Sequence, residues 1–220
     1  MILFENRSQA GKLLAEKLKK YKNDRNVIVL GLPRGGVVLA FEVASTLSIP
    51  LDITCPRKIG APSNPEFAIG AVTESGEAAL DERTIVALGI SPDYLHKQIE
   101  KETKESKRRL ELYRQGRQKI PLQGKVVILV DDGLATGATM KAAIQSVRAE
   151  DVEKVVVAVP VSPTETFAEI EERAEEVICL ATPSDFYAVG QFYEDFSATE
   201  DEEVIRLLSL KSQDEIGFRG

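Results

Sequence analysis

Residues 126–140 read VVILVDDGLATGATM. Val126–Val130 is an unbroken apolar, β-branched run, the pattern of a strand buried on both faces. Asp131 and Asp132 place two carboxylates at its C-terminal end. Ala135, Thr136, Gly137, Ala138 and Thr139 then supply small and hydroxyl residues ahead of a helix. Met140, Ile144 and Val147 stand at i, i+4 and i+7 and give that helix an apolar face.

This strand, acid pair, small-residue turn and helix suit a phosphorylated sugar. Amides at a helix start lack partners and carry the positive end of the helix dipole, so they bind phosphate. Small residues admit the anion to the backbone, and the Thr136 and Thr139 hydroxyls add donors. A phosphate alone has no need of two neighbouring acids. Two acids accept hydrogen bonds from a vicinal diol such as the 2′- and 3′-hydroxyls of ribose. The chemistry suggests a clamp for ribose 5-phosphate.

Working outward, Val27–Leu32 is a second buried strand, followed by Arg34, Gly35 and Gly36 and a helix to about Leu47. A glycine pair at such a turn exposes amides to a ligand, and Arg34 adds a charge; a tight turn with a solvated arginine fits equally. No G-x-G-x-x-G or G-x-x-x-x-G-K-[ST] motif is present. Leu51–Cys55 is a short strand followed by Arg57 and Lys58, cations at the sheet edge where open α/β sheets bind ligands. Residues 68–73 and 78–80 predict a hairpin around Glu74, Ser75 and Gly76, near Glu66. Ser91, Pro92 and Asp93 begin a charged helix to about Gln115. Its inner face is Leu95, Ile99, Leu110 and Tyr113, so it is expected to pack lightly. Lys107, Arg108, Arg109, Arg114 and Arg117 read as a solvated face, and His96 as an exposed residue. Val155–Val161 and Val177–Ala181 are further strands, and residues 162–165 read as a capping box between them. Strands alternating with helices predict an α/β fold, an open parallel sheet with helices on both faces.

The chain has 220 residues, ordinary composition and a net charge of −7, which suits one domain and argues against non-specific nucleic-acid binding. Its N-terminus lacks a signal-peptide layout and no apolar run reaches membrane-spanning length, so a cytoplasmic location and no membrane partner are expected. Cys55 and Cys179 read as buried free thiols.

At Val130, Asp131 and Asp132 through Thr136, Gly137, Ala138 and Thr139 the sequence resembles the type I phosphoribosyltransferases. Arg34-Gly35-Gly36 resembles their pyrophosphate loop, and Arg57-Lys58 the cations of adenine-type enzymes. Near the C-terminus, Phe186 through Gly190, F-x-x-V-G, is similar to the 6-oxopurine enzymes. The resemblance implies one domain, residues 1–220. Its core is about 27–181, with a hood from about 1–22 and 182–220. It implies transfer of a phosphoribosyl group from 5-phosphoribosyl 1-diphosphate (PRPP) to a small planar base, with Mg²⁺, in nucleotide salvage, as a homodimer. Asp131 and Asp132 would take the diol, Arg34 and Lys58 the leaving group. Phe186 would stack on the base, and Val189 would read its edge. Ala135, where oxopurine enzymes often carry an acid, points away from the base the tail suggests. Gly133, where the family more often has an aliphatic residue, suggests a looser turn. A non-catalytic PRPP or nucleotide sensor, and a ribose-phosphate hydrolase or phosphorylase, fit the same site.

Overall fold

A computed structural model describes residues 2–74 and 76–217, apart from the side chains of Glu66, Ala79 and residues 212–217. In chain order the elements begin with α1 (Arg7–Lys17), β1 (Val27–Gly31), α2 (Gly35–Leu47), β2 (Leu51–Ile53) and β3 (Arg57–Ala61). β4 (Asn64–Val72), β5 (Ala78–Leu80), α3 (Glu82–Ala87) and α4 (Pro92–Arg114) follow. The second half holds β6 (Val126–Val130), α5 (Ala138–Arg148), β7 (Lys154–Val161), α6 (Thr164–Glu171), β8 (Glu176–Ala181) and α7 (Asp201–Gly217).

Five strands form a parallel sheet in the order β2-β1-β6-β7-β8. Side chains alternate across it, as strand geometry requires. Val27, Val29, Ile128, Val130, Val156 and Ala158 point to one face, packed with residues of α1, α2 and α7. Ile28, Leu30, Val127, Leu129, Val155 and Val157 point to the other, packed with α5 and Ile170 of α6. Burial on both faces is why these strands are continuous apolar runs. Strand order runs outward from β1 to β2 in one direction and from β6 to β8 in the other. The switch point is the β1–β6 seam, where Gly31 lies level with Val130. Ligands of open α/β sheets bind beyond the strand ends at such a seam.

The long excursion between β2 and β6 builds a second sheet, β3-β4-β5, antiparallel throughout. Ile59, Ala61, Ile69, Val72 and Ile90 form its own small core, with Leu95 and Ile99 of α4 against it. The expected hairpin is present as β4 and β5. Arg57 and Lys58 differ from expectation: they open β3 rather than occupying a turn at the parallel sheet's edge.

Helix α4 starts as predicted, with the Ser91 hydroxyl accepting from the Tyr94 amide, but its packing departs from a lightly attached helix. Ser106 donates to the Cys55 carbonyl at 2.7 Å, and Tyr113 to Asp201 at 2.8 Å. Arg114 forks onto buried Asp52 at 3.0 and 3.1 Å. Arg117 donates to the carbonyls of Leu208, Arg114 and Tyr113. The basic cluster is therefore divided. Arg108 is solvated and paired with Glu105, whereas Arg114 and Arg117 tie the helix to β2 and α7. His96 is exposed. The capping box at residues 162–165 does not form: Pro163 is the residue before α6, and the Ser162 hydroxyl donates to the Pro163 carbonyl.

Asp52 also accepts from the amides of Ile53 and Ile120. Removing Arg114 leaves a carboxylate, 8% exposed, without its cation. Arg114→Met is predicted to cost about 3–5 kcal/mol in urea unfolding, partly recovered by adding Asp52→Asn. A loss below about 1 kcal/mol, the range of solvated pairs, would contradict the buried-clamp assignment.

Candidate functional site

Three turns meet at the C-terminal ends of β1, β2 and β6. After β6, Asp131 and Asp132 are half-buried, and the Asp132 amide donates to Asp131 Oδ1 at 2.9 Å. Burial pushes the Asp131 carboxyl well above the ordinary aspartate value, and the neighbouring Asp132 carboxylate pushes it further. Burial also raises Asp132, opposed by the hydrogen bond and charge of Arg7, whose Nε donates to Asp132 Oδ2 at 2.8 Å. The Tyr193 hydroxyl donates to the Asp132 carbonyl at 2.6 Å. Arg7 is a residue that reading the sequence missed: nothing local to RSQAGK marks it.

After β1, the glycine pair lets the start of α2 approach these acids. A Cβ on Gly35 would sit 2.0 Å from Asp132 Oδ2, and one on Gly36 would sit 2.7 Å from the Val130 carbonyl oxygen. Arg34, joined to Pro33 by a cis peptide, turns toward the start of α7. Its Nη1 lies 3.6 Å from Glu200 and 3.9 Å from Asp201.

The turn into α5 follows the sequence closely. Gly137 precedes the helix with φ of 69°, a left-handed conformation that favours glycine. Its backbone is pressed close to Thr166, whose hydroxyl donates to the Ala135 carbonyl at 2.8 Å. Thr136 and Thr139 are exposed, and the Ala138 amide donates to Thr136 Oγ1 at 3.4 Å. The α5 N-terminus thus opens outward with hydroxyls around it.

A cavity of about 680 Å³ lies between these turns, β3 and α4, within the usual range for small-ligand sites. Thr136, Ala138 and Thr139 line one side, and Arg57, Lys58, Lys101 and Arg109 supply cations on the other. Lys101 is not singled out by sequence because its helix looks solvated in one dimension, and Arg109, expected on that solvated face, lines the cavity instead. Arg57 pairs with Glu102 at 2.9 Å, and Arg109 with Glu105 at 2.8 Å. Cys55 also lines the cavity, but burial pushes its thiol up to about 12, so it is not an ionised nucleophile near neutrality.

Arg34, Gly35, Gly36, Asp131 and Asp132 lie outside that lining, as do Phe186 and Val189. Phe186 packs on Phe192, ring centroids 5.3 Å apart, and Phe192 and Tyr193 are buried. Much of the aromatic cluster therefore anchors the tail, while Tyr187 stands 90% exposed. Val189 explains Gly133: a Cβ there would meet the Val189 side chain at 2.5 Å, so the glycine marks a close contact rather than a looser turn. The Glu66 side chain, noted in the sequence, lies outside the described residues.

The phosphoribosyl transferase domain model matches residues 4–197. The chain belongs to this family. Two Mycobacterium tuberculosis proteins provisionally named phosphoribosyl transferases are each 45% identical over 97% of this chain. The match covers 48% of each, so the chain spans about half the length of these curated relatives. The protein TT1426 from Thermus thermophilus is 45% identical, with a TM-score of 0.84 over 94% of this chain and 98% of that one. A Neisseria gonorrhoeae protein solved with bound ppGpp shares the fold, with a TM-score of 0.51 at 17% identity over 96% of this chain and 97% of that one. Among the described residues no helix is long and apolar enough to cross a membrane.

The Gly133–Val189 contact is testable within the family framework. Gly133→Ala is predicted to lower stability by about 1–3 kcal/mol, through overpacking on Val189 and a φ of 157° that disfavours a side chain, and adding Val189→Ala to restore only the overpacking part. Thermal unfolding of the single and double variants checks this; equal losses in both would contradict a direct contact.

Proposed function

We propose that the chain binds PRPP and transfers its 5-phosphoribosyl group to a nitrogenous base, releasing pyrophosphate. The observation that carries this reading is an acid pair at the end of β6, followed by an open helix N-terminus whose two threonines line a cavity with four cations on its other side. Family membership supports the donor; the base is left open.

In this reading the 5′-phosphate rests on residues 136–139, where the α5 amides and the Thr136 and Thr139 hydroxyls donate to it. Asp131 and Asp132 accept from the ribose diol. Pyrophosphate lies in the cavity toward Arg57 and Lys58, which are joined there by Lys101 and Arg109. The Gly35 and Gly36 amides hold its near side. Arg34 joins them by leaving Glu200 and Asp201, an exposed pairing of the kind worth little in water. Breaking the C1′–O bond moves negative charge onto the leaving group, and fixed cations stabilise that charge most in the transition state. Phe186 and Val189 are assigned to the base side, on the segment that packs against Gly133 beside the acids.

Mg²⁺, when bound, neutralises pyrophosphate charge. Among the described residues no cluster of three His, Cys, Asp or Glu side chains is placed to hold a metal ion. The ion is assigned to the substrate's phosphate oxygens and water, its usual arrangement in phosphate sites.

Calorimetry with Mg²⁺-PRPP tests the clamp. Asp131→Asn with Asp132→Asn is predicted to weaken binding roughly 100-fold or more, since together they replace both carboxyl groups that accept from the diol and remove the negative charge of the pair. Unchanged affinity would contradict the diol assignment.

A further inference from the structure

Arg7 and Asp132 are 125 residues apart in sequence, yet their ion pair is well shielded, with side chains 12% and 17% exposed. Arg7 is held on several sides. Its Nε binds Asp132 Oδ2, its Nη1 donates to the Ser197 carbonyl at 2.7 Å, and its guanidinium carbon lies 3.9 Å from the Phe196 ring centroid. Gly35 makes room for the pair, since a Cβ there would fall 2.7 Å from Arg7 Nε. A solvated arginine at the start of a helix would need none of these contacts.

We propose that Arg7 is a positioning residue of the PRPP site, one that keeps Asp132 the ionised member of the acid pair and aims its second oxygen at the ribose diol. This rests on the diol reading above. Two adjacent carboxylates in a desolvated turn do not both ionise readily, so one tends to hold a proton. Arg7 breaks the symmetry, because its guanidinium bonds to Asp132 and not to Asp131. It takes Asp132 Oδ2, which leaves Oδ1 as the oxygen for the ligand.

The charged and titratable groups around the pair are few. Arg7 faces it from α1, Asp131 from its own strand end, and Tyr193 from the tail. Asp195 acts on Arg7 from farther along the tail. The α2 N-terminus brings the positive end of its dipole beside Asp131, where a Cβ on Gly36 would lie 2.9 Å from Asp131 Oδ1. Arg34 is turned to α7. Burial of Asp132 favours the neutral acid, and Arg7 is the side chain that opposes it.

The sign follows. Without the guanidinium, Asp132 takes up its proton at higher pH, and PRPP binding that needs the carboxylate fails earlier on acidification. Mg²⁺-PRPP affinity measured from pH 4.5 to 8 for the wild type, Arg7→Gln and Arg7→Lys tests this. The acid limb of Arg7→Gln is expected to move up by about 1–3 pH units, the size of a close charge's effect on an aspartate, on top of a smaller loss at every pH from an Oδ1 that is no longer aimed. Arg7→Lys, which keeps the charge, is expected to lie between. An unmoved limb, or a loss equal at every pH, would overturn the proposal. Titration of the aspartate carboxyl ¹³C signals in the wild-type protein carries the test if Arg7→Gln does not fold. Asp132 is expected to ionise at lower pH than Asp131, and the reverse order would overturn the assignment. Wild-type protein that binds no PRPP at any pH would be a failure of the functional reading, and the same titration separates that from a failure of Arg7's role.

Discussion

Two carboxylates share one half-buried turn at the end of β6, and much of the surrounding structure answers to that electrostatic demand. Burying a charge costs several kcal/mol unless it is paired and hydrogen-bonded. Here the compensation comes from three parts of the chain. Gly35 and Gly36 bring the α2 N-terminus within contact, Arg7 arrives from α1, and the Asp132 amide bonds Asp131, while Tyr193 from the tail holds the turn through the Asp132 backbone carbonyl. An isolated strand ending in two aspartates would leave them in water. Holding them in a desolvated turn is costly, and a diol that donates to both would relieve that cost.

The topology puts this pair at the strand ends of the β1–β6 seam. The parallel sheet reverses its direction of growth between β1 and β6, so α2 and α5 leave to opposite faces, and a crevice lies beyond the strand ends. The small antiparallel sheet and α4 wall the crevice with cations. The α4 helix is held there by Ser106, Tyr113 and the Arg114–Asp52 clamp, so that wall is part of the folded frame. In the proposed function, the α5 N-terminus on one side, the cations on the other and the acids at the end of β6 serve a sugar carrying phosphates at both ends.

The parts of this site that can be read from sequence are those whose chemistry is local. Residues 126–139 carry strand, acids, turn and helix start in one continuous stretch, and residues 27–36 carry strand and glycine turn, so both survive translation into three dimensions. Arg7 cannot be read this way, because its partner is set by tertiary packing alone. Arg114 misleads for a related reason: glutamate–arginine spacing on a charged helix looks solvated until β2 supplies Asp52. Arg57 and Lys58 are legible as a cation pair, and they line the cavity, but the strand that carries them belongs to a sheet that local pattern does not separate from the first. Gly133 looks like a weakened turn, and Val189, 56 residues later by number, explains it.

The central claim, that these pieces together move a phosphoribosyl group, is met most directly by pyrophosphate release from Mg²⁺-PRPP, measured with a panel of purine and pyrimidine bases and with no base. The account predicts release that depends on a particular base. Release without any base would make the site a hydrolase, and tight PRPP binding with no release across the panel would make it a sensor; either result would contradict the transferase.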